Sequence, residues 1–170
     1  MSETSFIYRS PLGPLLIKAS GESVSAVLFS KFDPLYPAVN HSTEMTTSPH
    51  PLIQKCVEQL TSYFDGTRKQ FDLPLHQPGT PFQQKVWSEL EKIEYGKTIS
   101  YFELSKRIGD VKAIRAVGTT NGKNKIAIIV PCHRVIGSNG DLTGYGGELW
   151  RKKWLLDHEA KYGNGVQTLF

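Results

Sequence analysis

The sequence predicts an α+β protein in two parts. A small sheet with one helix comes first, and a mostly helical region containing a helix-turn-helix follows. Three observations carry this. Short apolar segments between 6 and 29 are broken by turn residues, the pattern of paired strands. Leu52, Cys56, Leu60 and Phe64 then recur every four residues, the period of an amphipathic helix. Beyond residue 80, Thr80 with Gln83 and Ser100 with Glu103 have the spacing of reciprocal helix caps.

In chain order, Pro11-Leu12-Gly13-Pro14 divides 6–19 into a hairpin, and 24–29 supplies a third strand. Residues 33–51 carry Pro34, Pro37, Pro49 and Pro51 and read as a long connection. The helix of Leu52 to Phe64 stops at Gly66, and Cys56 on its apolar stripe is a structural thiol. Phe71, Leu73 and Leu75 alternate as a further strand. Residues 1–76 therefore form a supporting domain, 77–80 a linker, and 81–170 a second domain. In the latter, Pro81 at the first helical position follows Thr80, and Phe82, Val86, Leu90 and Ile93 form one stripe ending at Tyr95-Gly96. A second helix has Leu104 and Ile108 inward and stops at Gly109. Asp110 caps the next helix at once, to about residue 121, which makes a helix-turn-helix. Residues 126–130 are an unbroken apolar run and read as a strand buried on both faces, delivering Cys132. Asn139-Gly140 marks a tight turn, and a final helix spans about 148–161 with Trp150 and Trp154 on one side.

Composition narrows the function. Hydrophobic residues make up 39% of the chain and charged residues 21%, which suits a soluble globular protein. The N-terminus lacks a basic flank leading into an apolar stretch, and no apolar run reaches spanning length, so neither a signal peptide nor a membrane partner is expected. Two cysteines are too few for a disulfide framework and point to a reducing compartment. The five histidines are scattered without metal-ligand spacing, so no metal and no cofactor are expected. Charge is uneven: residues 1–76 hold 6 Lys and Arg against 7 Asp and Glu, whereas 77–170 hold 14 against 9. Lys106, Arg107, Lys112, Arg115, Lys123 and Lys125 cluster within 106–125 beside a single acid, Asp110. Such clustering is the footprint of a polyanion, although a basic face can also be merely solvated.

The residues suggest their own chemistry. On the helix after Asp110, Lys112, Arg115 and Thr119 fall within one arc, with Ile114 and Val117 roughly opposite. Ala113, Ala116 and Gly118 keep that helix slim enough for a nucleic-acid groove. Pro131 leads Cys132, His133 and Arg134 out of the apolar run. A buried cysteine can be only a small core residue. Beside a histidine and an acid it can be an activated nucleophile, with Arg134 and backbone amides lowering its pKa. In extended chain adjacent side chains diverge, so His133 would reach the sulfur through a water. Tyr145 stands among Gly144, Gly146 and Gly147, where the backbone can approach a flat ligand and the ring can stack on it. Glu159, near the end of a helix, opposes the macrodipole and calls for a cationic or histidine partner.

Pro131-Cys132-His133-Arg134-Val135-Ile136, with Asn124 eight residues before the cysteine and Arg115-Ala116-Val117-Gly118 upstream, resembles the O6-alkylguanine-DNA alkyltransferase family. The resemblance runs from about Pro81 to Glu159, and the N-terminal part agrees only in overall pattern. It implies a ribonuclease H-like first domain and a winged-helix-like second one. It implies repair of duplex DNA by irreversible transfer of an alkyl group from O6 of guanine, or O4 of thymine, onto Cys132. His133 would act as base through a water, with Glu159 orienting it. Asn124 would hold the active-site turn, and Tyr101 would support the departing guanine. Arg115 would replace the flipped base in the stack, entering from the minor groove. Lys106, Lys112, Thr119, Lys123, Lys125 and Arg134 would contact DNA. The base pocket would be lined by Tyr101, Tyr145, Gly146 and Gly147, with the carbonyls of Cys132 and Val135 accepting from the guanine amino group. The expected protein is monomeric and cytoplasmic, or nuclear in a eukaryote.

Two departures from the family pattern stand out. Lys125 occupies a position usually held by proline, and Gly146 one that is serine in some relatives. The ligands of a zinc site found in some animal members are missing. Two other readings remain: a lesion-binding module without chemistry, whose known examples carry tryptophan in place of the cysteine, and a cysteine hydrolase. Cys132 speaks against the first, and the basic helix-turn-helix against the second.

Overall fold

The computed structural model describes residues 3–29, 50–142, 145 and 148–164. They form an α+β protein of two compact units, dividing after Gln77. In the first unit, β1 (Thr4–Ser10), β2 (Gly13–Ala19) and β3 (Val24–Phe29) form an antiparallel meander in the order β1-β2-β3. Alternation sends Leu15, Ile17 and Ala19 of β2 to one fully buried face. Helix α1 (Pro51–Phe64) buries Ile53, Cys56, Leu60 and Tyr63 and is capped by His50, whose Nδ1 accepts from the Leu52 and Ile53 amides.

The strand expected at Phe71, Leu73 and Leu75 is not formed: only Leu75 pairs, as an isolated bridge to Val24. The physical reason lies in Gln59. Its amide receives the Asp72 N–H at 2.8 Å and donates to the Asp72 carbonyl at 3.1 Å, taking the place of a neighbouring strand. Most of the proline-rich connection at 33–51 lies outside the described residues.

In the second unit, Thr80 and Gln83 cap helix α2 (Pro81–Leu90) reciprocally. Gly79 is required there, because a Cβ would sit 2.7 Å from the Trp87 ring. The helix ends earlier than its apolar stripe, and Ile93 is buried from a following turn. Strand β4 (Ile99–Ser100) leads into helix α3 (Tyr101–Ile108), whose cap is half of the expected box. Ser100 accepts from the Glu103 amide, while the Glu103 carboxylate turns outward to Lys106 and Arg107. Gly109 closes α3 at φ 101°, a left-handed conformation suited to glycine.

The next helix is broken where one run was expected: a 3₁₀ turn, Val111–Ala113, capped by Asp110, precedes helix α4 (Ile114–Gly122). Val117 is buried, while Ile114, the first residue of α4 after the break, is 37% exposed rather than facing inward. Strand β5 (Val135–Ile136) pairs in parallel with β4, and helix α5 (Leu149–Asn164) completes the unit. Trp154 stacks on His158, whereas Trp150 is exposed. No helix among the described residues is long and apolar enough to cross a membrane.

Candidate active site

The apolar run 126–130 is not a strand. It is buried, but it folds into tight turns in which the Val130 N–H reaches the Ile126 carbonyl at 3.0 Å. Asn124 imposes this. Its Oδ1 accepts from the Ile126 N–H at 3.1 Å, and its Nδ2 donates to the carbonyls of Val130 at 2.8 Å and Ile126 at 3.3 Å. A side chain bound to three backbone groups within six residues holds the segment in turns instead of an extended strand. The turn forces Ile128 to φ 71°, an uncommon conformation for a β-branched residue, so strain is stored four residues before the cysteine.

Because Oδ1 is committed to a backbone donor, the amide orientation of Asn124 is fixed. Nδ2 also reaches Cys132 Sγ at 3.2 Å. Cys132 is 6% exposed and opens a 3₁₀ turn, Cys132–Arg134. The extended exit expected for Cys132 and His133 is thus replaced by a helical one. Burial raises the thiol pKa, and the Asn124 hydrogen bond and the charge of Lys152 pull it back.

Behind the thiol lies a buried charge cluster. His133 Nε2 and Glu159 Oε2 are 2.7 Å apart, both side chains essentially inaccessible. Arg134 donates from Nε to Glu159 Oε1 at 2.8 Å, from Nη2 to Oε2 at 3.0 Å, and from Nη1 to the Ile93 carbonyl at 2.6 Å. Burial works against a charged Glu159, but His133 and the Arg134 fork overcome it and hold the carboxyl well below its usual range. An ionised carboxylate can only accept, so Nε2 of His133 carries the hydrogen. Burial keeps the imidazole pKa below 6.5 despite Glu159, leaving a neutral ring whose Nδ1 holds a lone pair. Nδ1 is buried and has no hydrogen-bond partner among the described residues.

Arg134 corrects one expectation. It was expected to contact DNA, but it is 6% exposed and its donors are spent on Glu159 and Ile93. Its partner is 25 residues away in sequence, which no local pattern reveals. Sequence reasoning also missed Lys152. In Arg151-Lys152-Lys153 it resembles a solvated charge, yet it is fully buried, donates to the Val135 carbonyl at 2.6 Å, and lies 5.7 Å from the Tyr101 ring centre. Burial lowers its pKa to about 8, partly offset by Cys132. The signal that could have found it is helix phase: Leu155, Leu156 and Glu159 lie three, four and seven residues on, along one buried face of α5.

The remaining candidates fall into two groups. Tyr101, half-buried, gathers with Val135 around Lys152, and burial pushes the Tyr145 phenol well above its usual pKa. Lys106, Lys112, Arg115, Thr119, Lys123 and Lys125 are all exposed, on α3, α4 and their flanks. Gly146 and Gly147 lie outside the described residues. Lys125, where the family usually has proline, leaves the Asn124 bracket intact.

Residues 81–161 match the family model described as the DNA-binding domain of 6-O-methylguanine DNA methyltransferase, and residues 6–77 match its ribonuclease-like domain. The chain is 46% identical over 162 residues to a methylated-DNA–protein-cysteine methyltransferase of Mycobacterium bovis, covering 95% of this chain and 94% of that protein. It is 45% identical over 152 residues to the constitutive enzyme of that name from Bacillus subtilis, covering 88% and 91%. Among solved structures, the O6-methylguanine methyltransferase of Mycobacterium tuberculosis superposes with a TM-score of 0.79 at 40% identity, over 95% of this chain and 94% of that one. Mycobacterium tuberculosis OGT in complex with DNA gives 0.79 at 43% identity, covering 92% of each.

Proposed function

Because the chain belongs to the methylated-DNA–protein-cysteine methyltransferase family, we propose that it repairs O6-alkylguanine in duplex DNA by taking the alkyl group onto Cys132. The observation that carries this reading is the Cys132 sulfur, bound by Asn124 at 3.2 Å next to the His133–Glu159 pair.

The thiol proton passes through a water to Nδ1 of His133, whose other nitrogen is held by Glu159. The thiolate sulfur attacks the alkyl carbon, the S–C bond forms, and the C–O6 bond breaks with its electron pair on guanine. Tyr101 donates to the base and supports that charge. Arg115 enters the stack from the minor groove and fills the place of the flipped nucleotide, while Lys106, Lys112, Thr119, Lys123 and Lys125 hold the flanking backbone. Burial holds the resting thiol above its ordinary pKa, and the Asn124 hydrogen bond and Lys152 favour the thiolate that attacks. No step regenerates it, and each molecule acts once. The protein works as a monomer in a reducing compartment, the cytoplasm or, in a eukaryote, the nucleus.

Intact-mass measurement after incubation with duplex containing O6-methylguanine tests this. The expected outcome is one added CH2 per molecule, located at Cys132, with no further turnover. Tight lesion binding with an unmodified thiol would instead mark a sensor without chemistry. Arg115→Ala separates DNA handling from chemistry: repair of duplex should slow by about 100-fold, reaction with free O6-benzylguanine by much less. Equal losses on both would reject the role of Arg115.

A further inference from the structure

Two backbone carbonyls of the cysteine turn are held by buried side-chain donors from two different helices. Asn121 of α4 donates from Nδ2 to the Cys132 carbonyl at 3.3 Å, and Lys152 of α5 donates from Nζ to the Val135 carbonyl at 2.6 Å. Asn121 is 1% exposed and Lys152 is inaccessible.

Both are costly placements. Asn121 Oδ1 is buried with no hydrogen-bond partner among the described residues. Lys152 directs an ammonium at a neutral carbonyl, and burial lowers its pKa to about 8 as a consequence. Packing alone would favour apolar side chains of similar volume at both sites. What the two share is that each fixes a carbonyl that the reading above assigns to the exocyclic amino group of the flipped base.

We propose that Asn121 and Lys152 are positioning residues that set these two carbonyls as acceptors for the purine 2-amino group, and so select guanine-type over hypoxanthine-type bases. The inference rests on the alkyltransferase reading and deepens it. The two contributions are unequal. The Cys132 carbonyl already accepts the Val135 N–H of the 3₁₀ turn, so its long Asn121 contact is the one that an incoming amino group would share. The Val135 carbonyl is oriented by a short, charge-assisted bond from a buried ammonium. Lys152 therefore matters more for selection, while Asn121 ties the selecting wall to the helix that carries Arg115.

The test uses the full chain and two free bases, O6-benzylguanine and O6-benzylhypoxanthine. They break the same C–O bond and differ only in the amino group. Wild type should react about tenfold faster with the amino-bearing base, the worth of one well-made hydrogen bond. Asn121→Leu should narrow that ratio to about threefold, and Lys152→Met to near unity, with the loss concentrated on O6-benzylguanine. Asn121→Asp keeps the side-chain shape, removes the donor and should narrow the ratio as well, so a poorly folding leucine variant does not decide the matter. The ratio is read on one preparation and is independent of the fraction that is folded. Equal-fold losses on both bases, with the ratio preserved in all variants, would mean a structural role only and overturn the proposal. A wild type that alkylates Cys132 without discriminating would overturn it through the pocket assignment. Failure of any transfer would instead overturn the alkyltransferase reading itself.

Discussion

Cys56 and Cys132 are both buried thiols, one in each unit, and burial raises the pKa of both. For Cys56 nothing opposes the shift, and it is pushed up to about 12. It sits on the apolar stripe of α1 among Ile53, Val57 and Leu60, as inert as a methyl group. Cys132 is also buried, at 6% exposed, yet an amide hydrogen bond and a buried ammonium both favour its charged form. Reactivity in this molecule is therefore not a matter of exposure. It is a matter of which polar groups the fold has buried alongside the sulfur.

The sharpest break of that comparison is Cys132→Ser. Alkyl transfer from methylated duplex should vanish, because an alkoxide in the same place lies far out of reach of a neutral imidazole. Intact mass after prolonged incubation reads it. Any alkylation of Cys56 in that variant would refute the contrast between the two thiols.

Next in size is Glu159→Gln. Only Cys132 has a base behind it, and the variant leaves Arg134 buried without its counter-charge and frees the imidazole to choose another tautomer. The expected losses are about 3–5 kcal/mol of stability and about 100-fold or more in transfer rate, read by urea melts and by single-turnover kinetics. Acid should mimic part of this. The folded pKa of His133 is lowered, so from about 6.5 downward the unfolded chain gains a proton that the folded state refuses, and stability declines. The folded pKa of Glu159 is also lowered, so its contribution is present above 4.5 and is lost progressively below. The variant should lack the second decline; a wild-type stability flat from pH 6.5 to 4.5 would contradict the first, and one flat below 4.5 the second.

How much of this was legible follows the range of the forces involved. The hairpin, the Thr80–Gln83 cap, the Gly109 stop and the apolar stripe of α1 depend on residues a few positions apart, and local spacing reveals them. Cys132, His133 and Asn124 were legible because they belong to one short motif. The conformation between them was not. Residues 126–130 are as apolar as any central strand, and only the three backbone contacts of Asn124 turn them back. Arg134 and Lys152 failed for a related reason. A cation reads as solvated until the fold delivers Glu159 to one and the Val135 carbonyl to the other. The mismatches that bear on reactivity lie at the site, where polar groups are buried beside the sulfur.

Asn124→Leu is expected to be milder than Glu159→Gln in rate, and it bears most directly on the comparison. Removing the 3.2 Å contact should make Cys132 resemble Cys56, moving the acid limb of the pH–rate profile upward by about one unit and slowing reaction at pH 7 about tenfold. The turn also loses its bracket, so a lower melting temperature accompanies the change. A lower melting temperature with an unmoved pH profile would assign Asn124 to the backbone alone.

The smallest expected effect is that of Cys56→Ala. The side chain is inaccessible and packs without a polar role, so its loss costs about 1 kcal/mol of packing, read as a lower urea midpoint at unchanged slope. Single-turnover transfer to Cys132 should stay within about twofold, because Asn124, Lys152 and the His133–Glu159 pair that surround the chemistry all belong to the second unit. The same variant sharpens the chemical contrast. In folded wild type, iodoacetamide should modify Cys132 first and reach Cys56 only as urea opens the first unit, so Cys56→Ala should leave the early labelling unchanged and abolish the late phase. Early labelling that disappears with Cys56 would show that the thiol held by apolar contacts is the more reactive one, and the distinction drawn between the two sulfurs would fail.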